Sequence, residues 1–143
     1  MSKRELVLKA VAALISAALP DAGFERNQAK ADEVGPNGSI VMRDGDPGPP
    51  EIDLSPLSYN YDHSIPLEIA VLPSDEQTNE QALDAMLSAL GAAVAADRTL
   101  GGLCDFLDVE APTTEELVVE GAPAGRWADL AIVASYATPN PLT

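Results

Sequence analysis

Histidine and cysteine are the side chains that most often supply a base or a nucleophile near neutral pH. This sequence holds one of each, His63 and Cys104. Cys104 lies among Leu103, Phe106 and Leu107, the setting of a buried structural thiol rather than an activated one. A lone cysteine also excludes an internal disulfide, and with it a disulfide-stapled secreted fold. Asp62 beside His63 resembles an acid–base pair, but neighbours on a strand point to opposite faces. His63 shares the apolar face with Tyr61 and Ile65. It reads as a packed, hydrogen-bonded histidine, or one at a subunit contact, in preference to a catalytic base. Asp44-Gly45-Asp46 begins like a calcium loop but lacks the later acidic positions. Gly101-Gly102 has neither the preceding strand nor the following lysine of a phosphate loop. Glu115–Glu116 reads as a solvated pair. No catalytic residue, metal ligand or cofactor is expected, and the chain reads as a non-enzyme.

Composition points the same way. Aromatic residues make up 4% of the 143 residues and alanine dominates the apolar share. Small side chains suit close helix packing, whereas small-molecule pockets are usually lined by large apolar and aromatic groups. The net charge is −15, which makes free nucleic acid an improbable ligand, because phosphate contact needs clustered Lys and Arg. Between Arg43 and Arg98 there are eleven Asp and Glu residues and no Lys or Arg. Such a stretch reads either as a solvated acidic surface or as a face that meets a basic partner or lines a passage that repels DNA. Lys3 and Arg4 before an apolar run loosely resemble an export signal. Glu5 and Lys9 interrupt that pattern and make it amphipathic. No run approaches the ~20 apolar residues of a membrane span, so the reading is a soluble, cytoplasmic protein of one domain, residues 1–143.

The elements that would position these residues follow from periodicity. Ser2 and Glu5 have capping-box spacing, and Leu6, Val7, Ala10, Val11, Leu14 and Ala18 form a helical stripe ending near Pro20 and Gly23. A polar connection through Lys30 to Gly38 leads to a short strand, Ser39 to Arg43. Residues 44–56 read as an exposed acidic loop, since the Pro and Gly density from Asp44 to Pro50 disfavours helix and internal strand. Leu57, Tyr59, Tyr61, His63, Ile65, Leu67, Ile69 and Val71 alternate with polar residues, the mark of a strand with one buried face. Its length would be about 50 Å at roughly 3.3 Å per residue, so something must bend or extend it: Pro66 marks an edge or a bulge, and one reading is that the first half leaves the sheet as an arm. Ser74 with Gln77, or Thr78 with Gln81, caps a second helix carrying Leu83, Met86, Leu87, Leu90 and Val94. Strands are expected at Phe106 to Glu110, Glu116 to Glu120 and Arg126 to Thr138, then a short tail, 139–143. The fold class is α+β, a two-layer sandwich of a mostly antiparallel mixed sheet with two long helices on one face. The second helix is the expected crossover behind a parallel strand pair. The expected core is Leu14, Ile40, Leu67, Ile69, Leu83, Leu87, Leu90, Leu130 and Ile132.

Several stretches carry a resemblance. A capped N-terminal helix is followed by a strand and an acidic, proline-rich loop. Tyr61-Asp62-His63-Ser64-Ile65-Pro66-Leu67-Glu68-Ile69-Ala70-Val71 then leads into a helix expected from Asp75. Leu100-Gly101-Gly102-Leu103 and Leu130-Ala131-Ile132-Val133-Ala134-Ser135-Tyr136-Ala137-Thr138 complete the order. Nearly the whole chain thereby resembles the tail terminator and tail completion proteins of long-tailed bacteriophages and phage-like gene transfer agents, of the lambda type. The loop from Asp44 to Asp53 and the tail after Thr138 have no counterpart in that pattern.

The resemblance implies a homo-oligomeric ring, usually a hexamer, at the head-proximal end of the virion tail. Assembled in the host cytoplasm, such a ring caps the tail tube protein, stops its polymerisation and meets the head–tail connector. DNA would pass through its lumen without specific binding. Candidate contact residues are Tyr59, Tyr61 and His63 on the arm and Asp46, Glu51 and Asp53 on the loop. The alternative is a head completion or neck protein of the same particle, which fold and charge do not separate from a terminator and only the partner does. A small transferase would need a nucleotide surface and an activated nucleophile, and an acidic adaptor would stay monomeric until it met a basic partner.

Overall fold

The computed structural model describes residues 1–28, 34–118, 120–121 and 123–143. Two helices and seven strands make an α+β fold, its elements in the order α1 (Lys3–Ala18), β1 (Gly23–Arg26), β2 (Ser39–Met42), β3 (Glu51–Leu54), β4 (Leu57–Val71), α2 (Asn79–Ala96), a 3-10 turn (Leu100–Gly102), β5 (Phe106–Val109), β6 (Thr113–Leu117) and β7 (Gly125–Thr138). Lys30 to Glu33, the first part of the expected polar connection, lie outside the described residues.

The alternation from Leu57 to Val71 forms one unbroken strand. It stays in the sheet because β7 is nearly as long and pairs with it antiparallel from Tyr59↔Thr138 to Val71↔Arg126. The expected arm is therefore corrected: Tyr61 and His63 sit in the sheet opposite Tyr136 and Ala134. Each long strand carries two short ones along its outer edge. β2 pairs with β4 at Leu67 to Ala70 and β3 at Leu57 to Asn60. β5 and β6 line up in the same way along β7. Among the described residues the one parallel pair is β1–β2, so the parallel pair does not come from a crossover through α2.

Both helices cover the face bearing Ile65, Leu67, Ile69, Leu130 and Ile132, all buried. Burial of each such side chain is worth roughly 1.5–3 kcal/mol. In α1 the buried residues are Val7, Leu8, Val11 and Ile15. This turns the helix away from the expected stripe, because the bulkier Leu8 and Ile15 take the core while Leu6 stays 38% exposed. Leu14 and Leu87 pack against the core without full burial. The Ser2 hydroxyl accepts the Glu5 N–H at 3.1 Å, but the Glu5 carboxylate turns to Arg26, so only half of the capping box forms. At α2 the box is complete between Thr78 and Gln81, and the helix starts at Asn79 instead of Asp75.

The opposite sheet face has no helix among the described residues. It presents Asp62, Glu68, Asp129, Glu115 and Asp108, which alternate with core residues along their strands. Burial, followed by the charge of Glu68, pushes the Asp129 carboxyl above its usual range. No helix among the described residues is long and apolar enough to cross a membrane.

Candidate assembly surface

Between β2 and β3 the chain runs along the free edge of β4 and is pinned there. Arg43 N–H donates to the Pro66 carbonyl at 2.9 Å. Gly45 then passes against Ser64 with φ 63°; a Cβ here would collide with the Ser64 carbonyl. Only glycine meets both demands without strain. His63 holds the same segment from within the core. Its Nε2 lies 2.6 Å from the Asp44 carbonyl, which can only accept, so Nε2 bears the proton. Nδ1 therefore accepts from the Tyr136 hydroxyl at 2.9 Å. The ring is fully buried, and that burial holds its pKa below the ordinary histidine value.

A second anchor crosses the layers at the same place. The Arg26 guanidinium donates twice to Glu5 of α1, at 2.9 Å each, and once to Asp44 at 2.7 Å. Hydrogen bonding to Arg26 lowers the pKa of both carboxylates, while the arginine holds its proton more tightly. Bidentate pairing of this kind fixes geometry as well as charge.

From these anchors the chain re-enters the sheet as β3 and forms a hairpin with the start of β4. The expectation of a loop throughout 44–56 is corrected: Glu51–Leu54 is a strand in register with Leu57 to Asn60. β7 ends opposite Tyr59, so the hairpin projects beyond its partner. Registered pairs share a face, which sets Ile52 with Tyr59 and Leu54 with Leu57. On the other face, Glu51 pairs with Asn60 and Asp53 with Ser58. Leu54 is 81% exposed, Ile52 52% and Leu57 46%. An apolar stripe thus continues the core side of the sheet past the helices, and an acidic face backs it.

Of the residues expected at a contact, Asp46, Glu51 and Asp53 are exposed and Tyr59 is half-buried. Asp46 and Glu51 line one shallow depression with Asp62. Tyr61 and His63 are instead buried, with the two tyrosine rings Tyr61 and Tyr136 5.9 Å apart. They support the hairpin from below and offer no contact surface. Ile52, Leu54 and Leu57 were missed as contacts. The signal was an apolar–acidic alternation in Glu51-Ile52-Asp53-Leu54, overshadowed by the prolines before it.

Reactive chemistry finds little support in this geometry. The Cys104 thiol is buried, and burial raises its pKa. Asp62 and His63 do face opposite ways: Asp62 takes a hydrogen bond from the Ser135 hydroxyl at 2.6 Å on the uncovered face. Among the described residues no three His, Cys, Asp or Glu side chains gather as a metal site. The chain matches no protein-family model and no curated protein.

Proposed function

We propose that this chain is a structural subunit that acts by assembling into a ring at the end of a phage-type tail tube, where it stops tube growth and meets the head connector. The observation that carries the reading is the projecting β3–β4 hairpin, whose apolar side chains Ile52, Leu54 and Leu57 stay exposed among the described residues. Exposed apolar side chains on a sheet extension are a recurrent means of subunit contact. Among the described residues β1, β3 and β6 have no further strand on their outer edges, where a neighbour can pair.

The uncovered face supports the second half of the reading. A sheet surface bearing Asp62, Glu115 and Asp129, with Glu68 and Asp108 paired to Arg43 and Arg98, would, if turned toward a lumen, repel DNA phosphates and let the duplex pass without adhering. In a particle lacking the gene, tails are expected to grow to irregular lengths and to remain apart from heads. Normal tails joined to heads in that strain would remove the terminator role.

A further inference from the structure

β3 is an edge strand with one partner. Its register joins it to β4 alone, and among the described residues no backbone hydrogen bond reaches its outer side. β5, at the opposite edge of the sheet, is closed on its outer side. Leu107 there donates its N–H to the Arg98 carbonyl at 2.6 Å and accepts from the Arg98 guanidinium at 3.0 Å. The free side of β3 runs past Glu51, Ile52, Asp53 and Leu54, all exposed. A strand added there meets an apolar row, Ile52 and Leu54, on one face and an acidic row, Glu51 and Asp53, on the other.

That pattern works against a second copy of this chain. When two β3 strands share an apolar face, their other face sets carboxylate against carboxylate, and like charges directly opposite are destabilising. The other unpaired edges fit no better, since β6 carries Glu115 and Glu116 and β1 carries Glu25. Among the described strands the basic residues are Arg26 and Arg126. Arg26 is held by Glu5 and Asp44, and Arg126 by Glu80. Glu51 and Asp53 form no ion pair among the described residues. Asp53 accepts only from the neutral Asn60 amide, at 3.1 Å. Their charge is complemented by nothing on the subunit's own edges, and a partner that matches it must bring cations.

We propose that the outer edge of β3 takes an added strand from a different protein, one whose residues alternate apolar side chains with Lys or Arg. Its apolar residues extend the row of Ile52 and Leu54, its cations face Glu51 and Asp53, and backbone pairing sets the register. Where the ring reading above holds, this partner is the tube or connector protein and not the neighbouring copy. The pairing itself stands on the hairpin alone.

The test is binding of short peptides to the intact chain, with hydrogen exchange reading where they sit. One peptide alternates Lys with Val, a second alternates Glu with Val, and a third has the composition of the first with its lysines in one block. The alternating basic peptide is expected to bind and to slow exchange at the β3 amides, with affinity falling as salt rises. The blocked peptide should bind more weakly, and the acidic one not at all. Glu51→Lys with Asp53→Lys in one chain should weaken the first peptide about tenfold and admit the acidic one. Equal binding of the blocked peptide, protection confined to other segments, or a charge-reversed chain that keeps the parent's preference overturns the pairing. So does slowed exchange at β3 in the chain alone as its concentration rises, which would make a second copy the occupant. A chain that binds the alternating basic peptide yet never joins particles overturns the ring reading and leaves the strand pairing in place.

Discussion

The imidazole of His63 donates from Nε2 to the Asp44 carbonyl, 2.6 Å away, and so ties the base of the hairpin to the centre of the core. The bond joins a buried strand residue to the segment that delivers the projecting contact surface. It also makes the position of that surface sensitive to the charge of one ring.

His63 is held neutral because burial disfavours its cationic form. Its folded pKa lies below the unfolded value of 6.5. The unfolded chain therefore binds more protons between those two values. The His63 contribution is complete above the unfolded pKa and is lost as pH falls below it toward the folded pKa. Glu5 and Asp44, whose carboxylates bind Arg26, add acid lability of the same sign at lower pH. Arg4, Asp44, Asp46 and the Tyr136 hydroxyl surround the ring electrostatically. Urea unfolding should show stability falling from pH 7.5 to pH 5.5, and His63→Gln should flatten that dependence. An unchanged slope in the variant would contradict the assignment.

Gly45→Ala places a Cβ against the Ser64 carbonyl at a positive φ. A loss of about 2 kcal/mol or more is expected in chemical denaturation. Stability within about 0.5 kcal/mol of the parent would mean that the segment does not seat on β4 as described.

Tyr61→Ala removes a buried ring that packs beside Tyr136. The expected cost is about 3 kcal/mol, in the range for large-to-small core changes. Ile69→Asp, an unpaired charge in the same core, should prevent folding altogether. A folded Ile69→Asp chain by circular dichroism would contradict the strand face.

The two long strands and their buried face were legible because Leu57 to Val71 and Ala128 to Thr138 alternate over many residues, which only a half-buried strand explains. The capping box at Thr78 was legible too, although Ser74 with Gln77 offered an equal local signal. Ser74 does accept N–H groups from Glu76 and Gln77, at 3.3 and 3.1 Å, in a turn before the helix. Other elements depend on partners remote in sequence. β1 is four residues, Gly-Phe-Glu-Arg, whose place is secured by Arg26 reaching Glu5 and Asp44. A strand was expected at Glu116 to Glu120, whereas β6 is Thr113–Leu117, its first four residues polar and exposed. Nor does local periodicity show that β7 stops opposite Tyr59, and that ending exposes the hairpin.

Leu54→Asp changes a side chain that is 81% exposed. Thermal stability should stay within about 0.5 kcal/mol of the parent, while occupancy on assembled particles should fall about thirtyfold if Leu54 is an anchoring contact. Unaltered occupancy would show that the hairpin tip takes no part in assembly.

The most direct measurement of the central claim is negative-stain microscopy of the producing particle with immunogold against this chain. The account predicts label at the head-proximal end of the tail, where a terminating ring would sit. Particles without label, together with a chain that remains monomeric in solution, would contradict it.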